Sequence, residues 1–170
     1  MNRRGFTLVE LVIVIIVIGI ISVFTSIAIN SAVRNIQLTS AANKLASDLR
    51  YIQSLASVTG QWHGASFEVS PTNRYTLYTT NATGTIDSVI DNPGKKTPFI
   101  VDLHADFSVS ISSVNLAGGN KLEFSPLGTP YNDKPPSGSE LIADGAVTLT
   151  RDSSSREVRI TRNTGRIYLQ

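Results

Sequence analysis

Among the residues of this 170-residue chain able to do chemistry, Glu10 stands in the most demanding place. It is the one charged side chain between Phe6 and Ile29, a run otherwise filled by Val, Ile, Leu and small residues. A carboxylate in hydrocarbon costs roughly 2.5–3.5 kcal/mol on insertion scales, so such a residue needs a partner or a task. The other reactive types do not gather. His63 and His104 are the only histidines, and neither belongs to a zinc spacing such as His-x-x-x-His. Asp102 and Asp106 bracket His104, which could suggest a hard-metal or acid–base cluster, but the segment reads as a solvated strand-to-turn stretch. Serine is common without a Gly-x-Ser-x-Gly elbow, and Gly118-Gly119-Asn120 reads as a turn rather than a phosphate cradle. With no cysteine, disulfides and thiolate metal sites are excluded. Trp62 and Phe67 read as core closure. The residues therefore predict no catalytic group, no metal site, no cofactor and no enzyme.

The elements that must carry Glu10 follow from hydropathy. Phe6 to Ile29 as a helix covers about 36 Å, against a hydrocarbon core of about 30 Å. Arg3 and Arg4 precede it, so the positive-inside tendency keeps the N-terminus cytoplasmic and sends the remainder outward. The competing reading is an ordinary signal peptide cut after Ala28, which would leave a soluble periplasmic protein. Such apolar regions run 7–15 residues, shorter than this one.

Beyond Ile29, Leu38, Ala41, Ala42, Leu45, Leu49, Ile52 and Ala56 recur at three- and four-residue steps, an apolar helical stripe. No proline falls between Met1 and Gln61, so one helix is expected from about Phe6 to about Val58, with Gly60 as its stop. Gly19 is its expected weak point. The rest alternates with period two at Phe67/Val69, Tyr75/Leu77, Phe107/Val109/Ile111 and Leu122/Phe124. Val147/Leu149, Val158/Ile160 and Ile167/Leu169 predict an antiparallel meander over Ala146–Leu169, with a serine-rich loop at Arg151–Arg156 and a tight turn at Asn163–Gly165. Asn92–Pro98 and Pro126–Ser139 read as surface loops. The fold class is α+β: a long helix on antiparallel sheet. The expected organisation is a leader at 1–5, a transmembrane or filament-core helix at 6–29, its amphipathic continuation at 30–59, and a β-rich domain at 60–170.

At Arg4-Gly5-Phe6-Thr7-Leu8-Val9-Glu10-Leu11 the chain resembles the processing site of type IV pilins and type II secretion pseudopilins. The resemblance implies cleavage after Gly5 by a prepilin peptidase and N-methylation of Phe6. It also implies a meeting of Glu10 with the Phe6 amine of a neighbouring subunit during assembly. Buried opposite charges offset their desolvation only in good geometry; an i, i+4 contact between Phe6 and Glu10 of one chain is the local alternative. Implied partners are the peptidase, other pilin or pseudopilin subunits, an inner-membrane assembly platform and inner-membrane lipid. The implied location is the bacterial inner membrane, single-pass, with the globular domain periplasmic, and then a filament. The family's proline within the apolar segment is missing, its neighbourhood here being Ser26-Ile27-Ala28.

The later run from Leu122-Glu123-Phe124-Ser125-Pro126-Leu127-Gly128 through Val147–Thr150 to Thr164-Gly165-Arg166-Ile167 resembles the H-type minor pseudopilins (GspH) of type II secretion and the FimT-like minor pilins. One FimT-like subgroup binds DNA through a Gly-Arg-x-Arg motif. The matching positions are Gly165, Arg166, Ile167 and Tyr168, so the second arginine is missing. Alternation places Arg159, Arg166 and Tyr168 on one face, where they could hold phosphates and stack a base; a solvated sheet face uses such charges equally. Without Arg3, Arg4 and Glu10, the chain's 15 basic and 13 acidic side chains become 13 and 12, too balanced for charge alone to indicate nucleic acid.

Overall fold

The computed structural model describes residues 7–81 and 87–170, with the backbone alone for residues 23–29. Gly5 and Phe6, with Arg3 and Arg4, lie outside the described residues. Helix α1 runs Leu8–Thr59. Thr7 starts it: its carbonyl accepts from Leu11 N–H at 3.2 Å and its hydroxyl from Glu10 N–H at 3.3 Å, satisfying donors that the first turn leaves bare. Gly60 ends it at φ +68°, its N–H donating to the Ala56 carbonyl at 3.0 Å, a left-handed position that glycine takes without strain.

Two compact units divide the chain, Met1–Ile36 and Gln37–Gln170. In the first, the described apolar side chains from Leu8 to Ile21 are 43–78 % exposed. Among the described residues no helix is long and apolar enough to cross a membrane. The expected span, Phe6–Ile29, takes in Phe6 and the side chains of residues 23–29, which lie outside them.

In the second unit the predicted stripe of α1 is fully buried: Leu38, Ala41, Ala42, Leu45, Leu49, Ile52 and Ala56. Two antiparallel sheets share this core. The first contains β1 (Trp62–Glu68), β2 (Arg74–Thr80), β3 (Asp87–Val89), β4 (Ile100–Asp102), β6 (Lys121–Phe124) and β7 (Pro130–Tyr131), in the order β3-β2-β1-β6-β7 with β4 also on β2. The second, in the order β10-β9-β8-β5, holds β5 (Ser110–Asn115), β8 (Gly145–Arg151), β9 (Ser154–Ile160) and β10 (Ile167–Leu169). Its last three strands are the expected meander, with Val147, Leu149, Val158, Ile160 and Ile167 turned inward.

Asn73 joins the sheets. Buried at φ +52°, it accepts from Leu103 N–H through its carbonyl and from Ile111 N–H through Oδ1, both at 3.0 Å.

Five local expectations are corrected. Phe107 is not in a strand but ends α2 (Leu103–Phe107), because Asp102 Oδ1 caps Ala105 N–H at 2.8 Å and Ser108, at φ 55°, stops the helix. The strand-to-turn reading of Asp102–Asp106 falls with it. The serine-rich loop shrinks to Asp152 and Ser153, since Arg151 pairs with Ser154 and Thr150 with Ser155; Asp152 supplies the positive φ that a tight hairpin needs. Pro126–Ser139 is not all surface loop, as it contains β7 and the buried Lys134. Trp62 is half-buried outside the core, edge-on to Tyr131 at 4.9 Å, whereas Phe67 is buried as expected.

Candidate functional site

Glu10 occupies the third position of the first turn of α1 and is exposed. Thr7-x-x-Glu10 spells a capping box, a signal legible in the sequence but not read there. A carboxylate here also favours the helix dipole. Glu10 thus has a local reason to exist, yet its side chain stands open on a turn whose described neighbours Leu8, Val9, Leu11 and Val12 are all exposed and apolar. A carboxylate and an apolar sleeve open together form a surface that a water-soluble monomer rarely shows.

The arginine face assembles only in part. Tyr168 and Arg159 are cross-strand partners in β10 and β9, and Arg159 Nε donates to Glu157 Oε2 at 3.1 Å. Hydrogen bonds to Tyr168 and Glu157 hold the Arg159 guanidinium above its ordinary pKa. Arg166 is exposed in the turn before β10 rather than within the strand. Arg151 bends inward to the Phe107 carbonyl at 2.8 Å and to Gln37, and Arg162 to the Ile142 carbonyl at 3.1 Å. Arg159 and Arg166 therefore do not join Arg151 and Arg162 in one basic face.

Gly165 has a structural task beside this. It sits at φ +62°, and a Cβ there would lie 2.6 Å from Gln53 Nε2, 2.7 Å from the Gly128 carbonyl and 3.0 Å from Phe124. Gln53 Nε2 donates to the Gly128 carbonyl at 3.1 Å and to the Thr164 carbonyl at 3.2 Å. One helix side chain thereby ties a turn from each sheet. Nearby, Arg50 reaches the Ile167 carbonyl at 2.8 Å and occupies an acceptor of strand β10.

Two buried polar clusters escaped the sequence reading. Asp48 on α1 accepts from Tyr75 Oη at 2.5 Å and pairs with Lys44 at 2.5 Å; burial, then the Asp48 charge, pushes the Tyr75 phenol far above its usual range. Across the outer face of the first sheet, Tyr78 and Thr80 donate to Glu123 Oε1 at 2.8 and 3.0 Å. The only sequence signal for this second cluster was Gly64, an isolated glycine within an alternating strand. Its absent Cβ would stand 2.7 Å from Glu123 Cγ and 2.8 Å from the Tyr78 ring.

Comparison with known proteins fits this geometry. The family "Type II transport protein GspH" matches residues 41–165, and the "Prokaryotic N-terminal methylation motif" matches residues 1–26. The chain belongs to the GspH family. It is accordingly a pilin-like structural subunit, a minor pilin or pseudopilin of type II secretion or type IV pili. No curated protein matches it. Among solved structures it is similar in fold to the type IV minor pilin FimU of Pseudomonas aeruginosa (18% identity, TM-score 0.54, covering 80% of this chain and 90% of that one). It is similar also to the minor pseudopilin EpsH of the Vibrio cholerae type 2 secretion system (14% identity, TM-score 0.57, covering 79% and 96%). The α+β architecture of a GspH-family chain is thus shared by both kinds of filament subunit.

Proposed function

We propose that this GspH-family chain is made as an inner-membrane precursor, N-terminus cytoplasmic and globular unit periplasmic, and becomes a low-abundance filament subunit. A prepilin peptidase cuts after Gly5, and the new terminal Phe6 is N-methylated. Glu10 then receives the terminal amine of a neighbouring subunit as the assembly platform moves the helix from lipid into the filament. The carrying observation is the open carboxylate of Glu10 in the first turn of an exposed apolar helix. Desolvating that carboxylate alone is costly, whereas meeting an ammonium in good geometry offsets the cost and selects one axial register.

The test is the mass of the mature N-terminus together with Glu10→Ala. A chain beginning at methylated Phe6 is expected. The variant should be processed as the wild type is, while its incorporation into filaments falls. A mature N-terminus near Asn30 would identify ordinary signal cleavage, and normal incorporation of the variant would remove the pairing role. The arginine face is left out of this reading because Glu157 already holds Arg159 and Arg151 turns inward. Unchanged DNA retention in an Arg159→Ala, Arg166→Ala chain is the expected result.

A further inference from the structure

The outer face of the first sheet carries charges that the assembly role does not use. Strand register sets Tyr78, Gly64, Glu123 and Tyr131 in one row across β2, β1, β6 and β7. Gly64 leaves the gap over which Tyr78 reaches Glu123. Glu123 is fully buried although it points away from the main core, and its Oε2 has no hydrogen-bond partner among the described residues. The chain after β7 runs beside it, close enough for the Asp133 charge to act on its carboxyl. From there Lys134, itself buried, donates to the Asn81 carbonyl at 2.5 Å and stands 5.6 Å above the Trp62 ring. Its neighbour Asp133 lies 3.9 Å from Lys121, which pairs with Asp87 at 2.6 Å. Internal bonds shape the segment: Asn132 N–H donates to the Ser139 carbonyl at 3.1 Å, Ser139 N–H to Asn132 Oδ1 at 2.8 Å and Gly138 N–H to the Lys134 carbonyl at 3.2 Å. A cleft flanks it on each side, one bounded by Trp62 and Lys134, the other by Asp133 and Ser137.

Counting the charges that face Glu123 from every packed element gives a balance. Asp87 comes from β3, Lys121 from β6, and Asp133 and Lys134 from the segment after β7. Tyr78 of β2 and Tyr131 of β7 are neutral, and β1 puts Trp62, Gly64 and Ser66 on this face, with Glu68 at its far end paired to Arg74 at 2.8 Å. Two acids thus meet two lysines, and an ionised Glu123 would be a third acid with one oxygen unsolvated and unpaired.

We propose that Asn132–Ser139 is a strap closed over the first sheet while Glu123 is uncharged and loosened when it ionises. An uncharged Glu123 completes a neutral set. Ionised, it adds repulsion from Asp87 and Asp133 and a buried bare oxygen, which water reaches only if the strap lifts. Burial raises the carboxyl's pKa against the opposing hydrogen bonds of Tyr78 and Thr80. The uncharged form is therefore favoured by the fold, closure is complete below the ordinary glutamate range, and it weakens as pH rises through the raised value.

Amide hydrogen exchange on the full chain in detergent micelles tests this between pH 4.5 and 9, after correction for intrinsic rates. In the wild type, Gly138 and Ser139 should exchange faster by up to about tenfold per pH unit between the ordinary glutamate range and the carboxyl's raised value, where opening releases one proton, and level off above it. Core amides such as Leu149 should not follow. Glu123→Gln should remove the step. Asp87→Asn, which frees Lys121 for an ionised Glu123, should shrink it, and this arm carries the test if the glutamine variant misfolds. A wild type without the step, a glutamine variant that keeps it, or an undiminished step in Asp87→Asn would overturn the proposal.

Discussion

Helix α1 contains two halves written in different alphabets. From Leu8 to Ile21 almost every described position is apolar and exposed, and Glu10 is the one charge. From Gln37 to Thr59 the apolar residues gather into one stripe, buried from Leu38 to Ala56 against two sheets with Tyr51 and Leu55 half-buried at its margin and Val58 exposed, while Ser40, Asn43, Ser47, Ser54 and Ser57 face outward. The second half is satisfied within its own chain, and helix stability there comes from packing rather than propensity. The first half has an apolar surface that no described residue of its own unit covers. On the proposed function, one helix serves as both the spine of a folded unit and the part offered to lipid or to other subunits.

Substitutions separate the halves, and the largest effect belongs to the second. Leu45→Ala should destabilise the globular unit by about 2–5 kcal/mol through lost burial and a cavity, read from urea unfolding of the full chain in detergent. Ile16→Ala should leave that transition within about 0.5 kcal/mol of wild type while lowering incorporation into filaments. Equal destabilisation by the two would erase the distinction. Gly165→Ala should cost about 2 kcal/mol, because a left-handed residue and an overpacked contact with Gln53 and Gly128 coincide; an unchanged midpoint would show that the two turns move apart freely.

Asp48→Ala should cost about 1–3 kcal/mol by stranding the buried Tyr75 hydroxyl. Adding Tyr75→Phe should recover part of it, and a strictly additive pair would contradict the coupling. The smallest effect concerns His63. Its ring bonds Thr59 Oγ1 at 3.0 Å, and burial lowers its pKa. Its contribution is therefore complete above about pH 6.5 and is lost as pH falls through the lowered value. His63→Gln should flatten that part of the Tm–pH curve, and an unaltered acid slope would assign the loss elsewhere.

Most elements were legible because their signals are local. The stripe from Leu38 to Ala56 repeats at helical spacing, and Val147 through Leu169 alternates at strand spacing, so period alone separates them. Phe107 failed because alternation cannot see a cap: Asp102 and Ser108 bracket five residues and convert them to helix. Trp62 failed because strand parity was read without the sheet. Its register with Thr80 and its place beside Gly64 put it on the outer face. Glu123 could not be found by pattern, since its partners Tyr78 and Thr80 lie more than forty residues away.

The order of residues by itself determined the apolar N-terminal run, its solitary carboxylate, the helix stop at Gly60 and the strand periods. Each depends on neighbours within a few positions, where propensity, capping and hydropathy act. Only the tertiary structure decided that the strands divide into two sheets, that Gln53 ties a turn of each, and that Glu123 is buried on an outer face against Tyr78 and Thr80. Those outcomes depend on contacts between distant segments, and their energies exist only once the chain has brought the segments together.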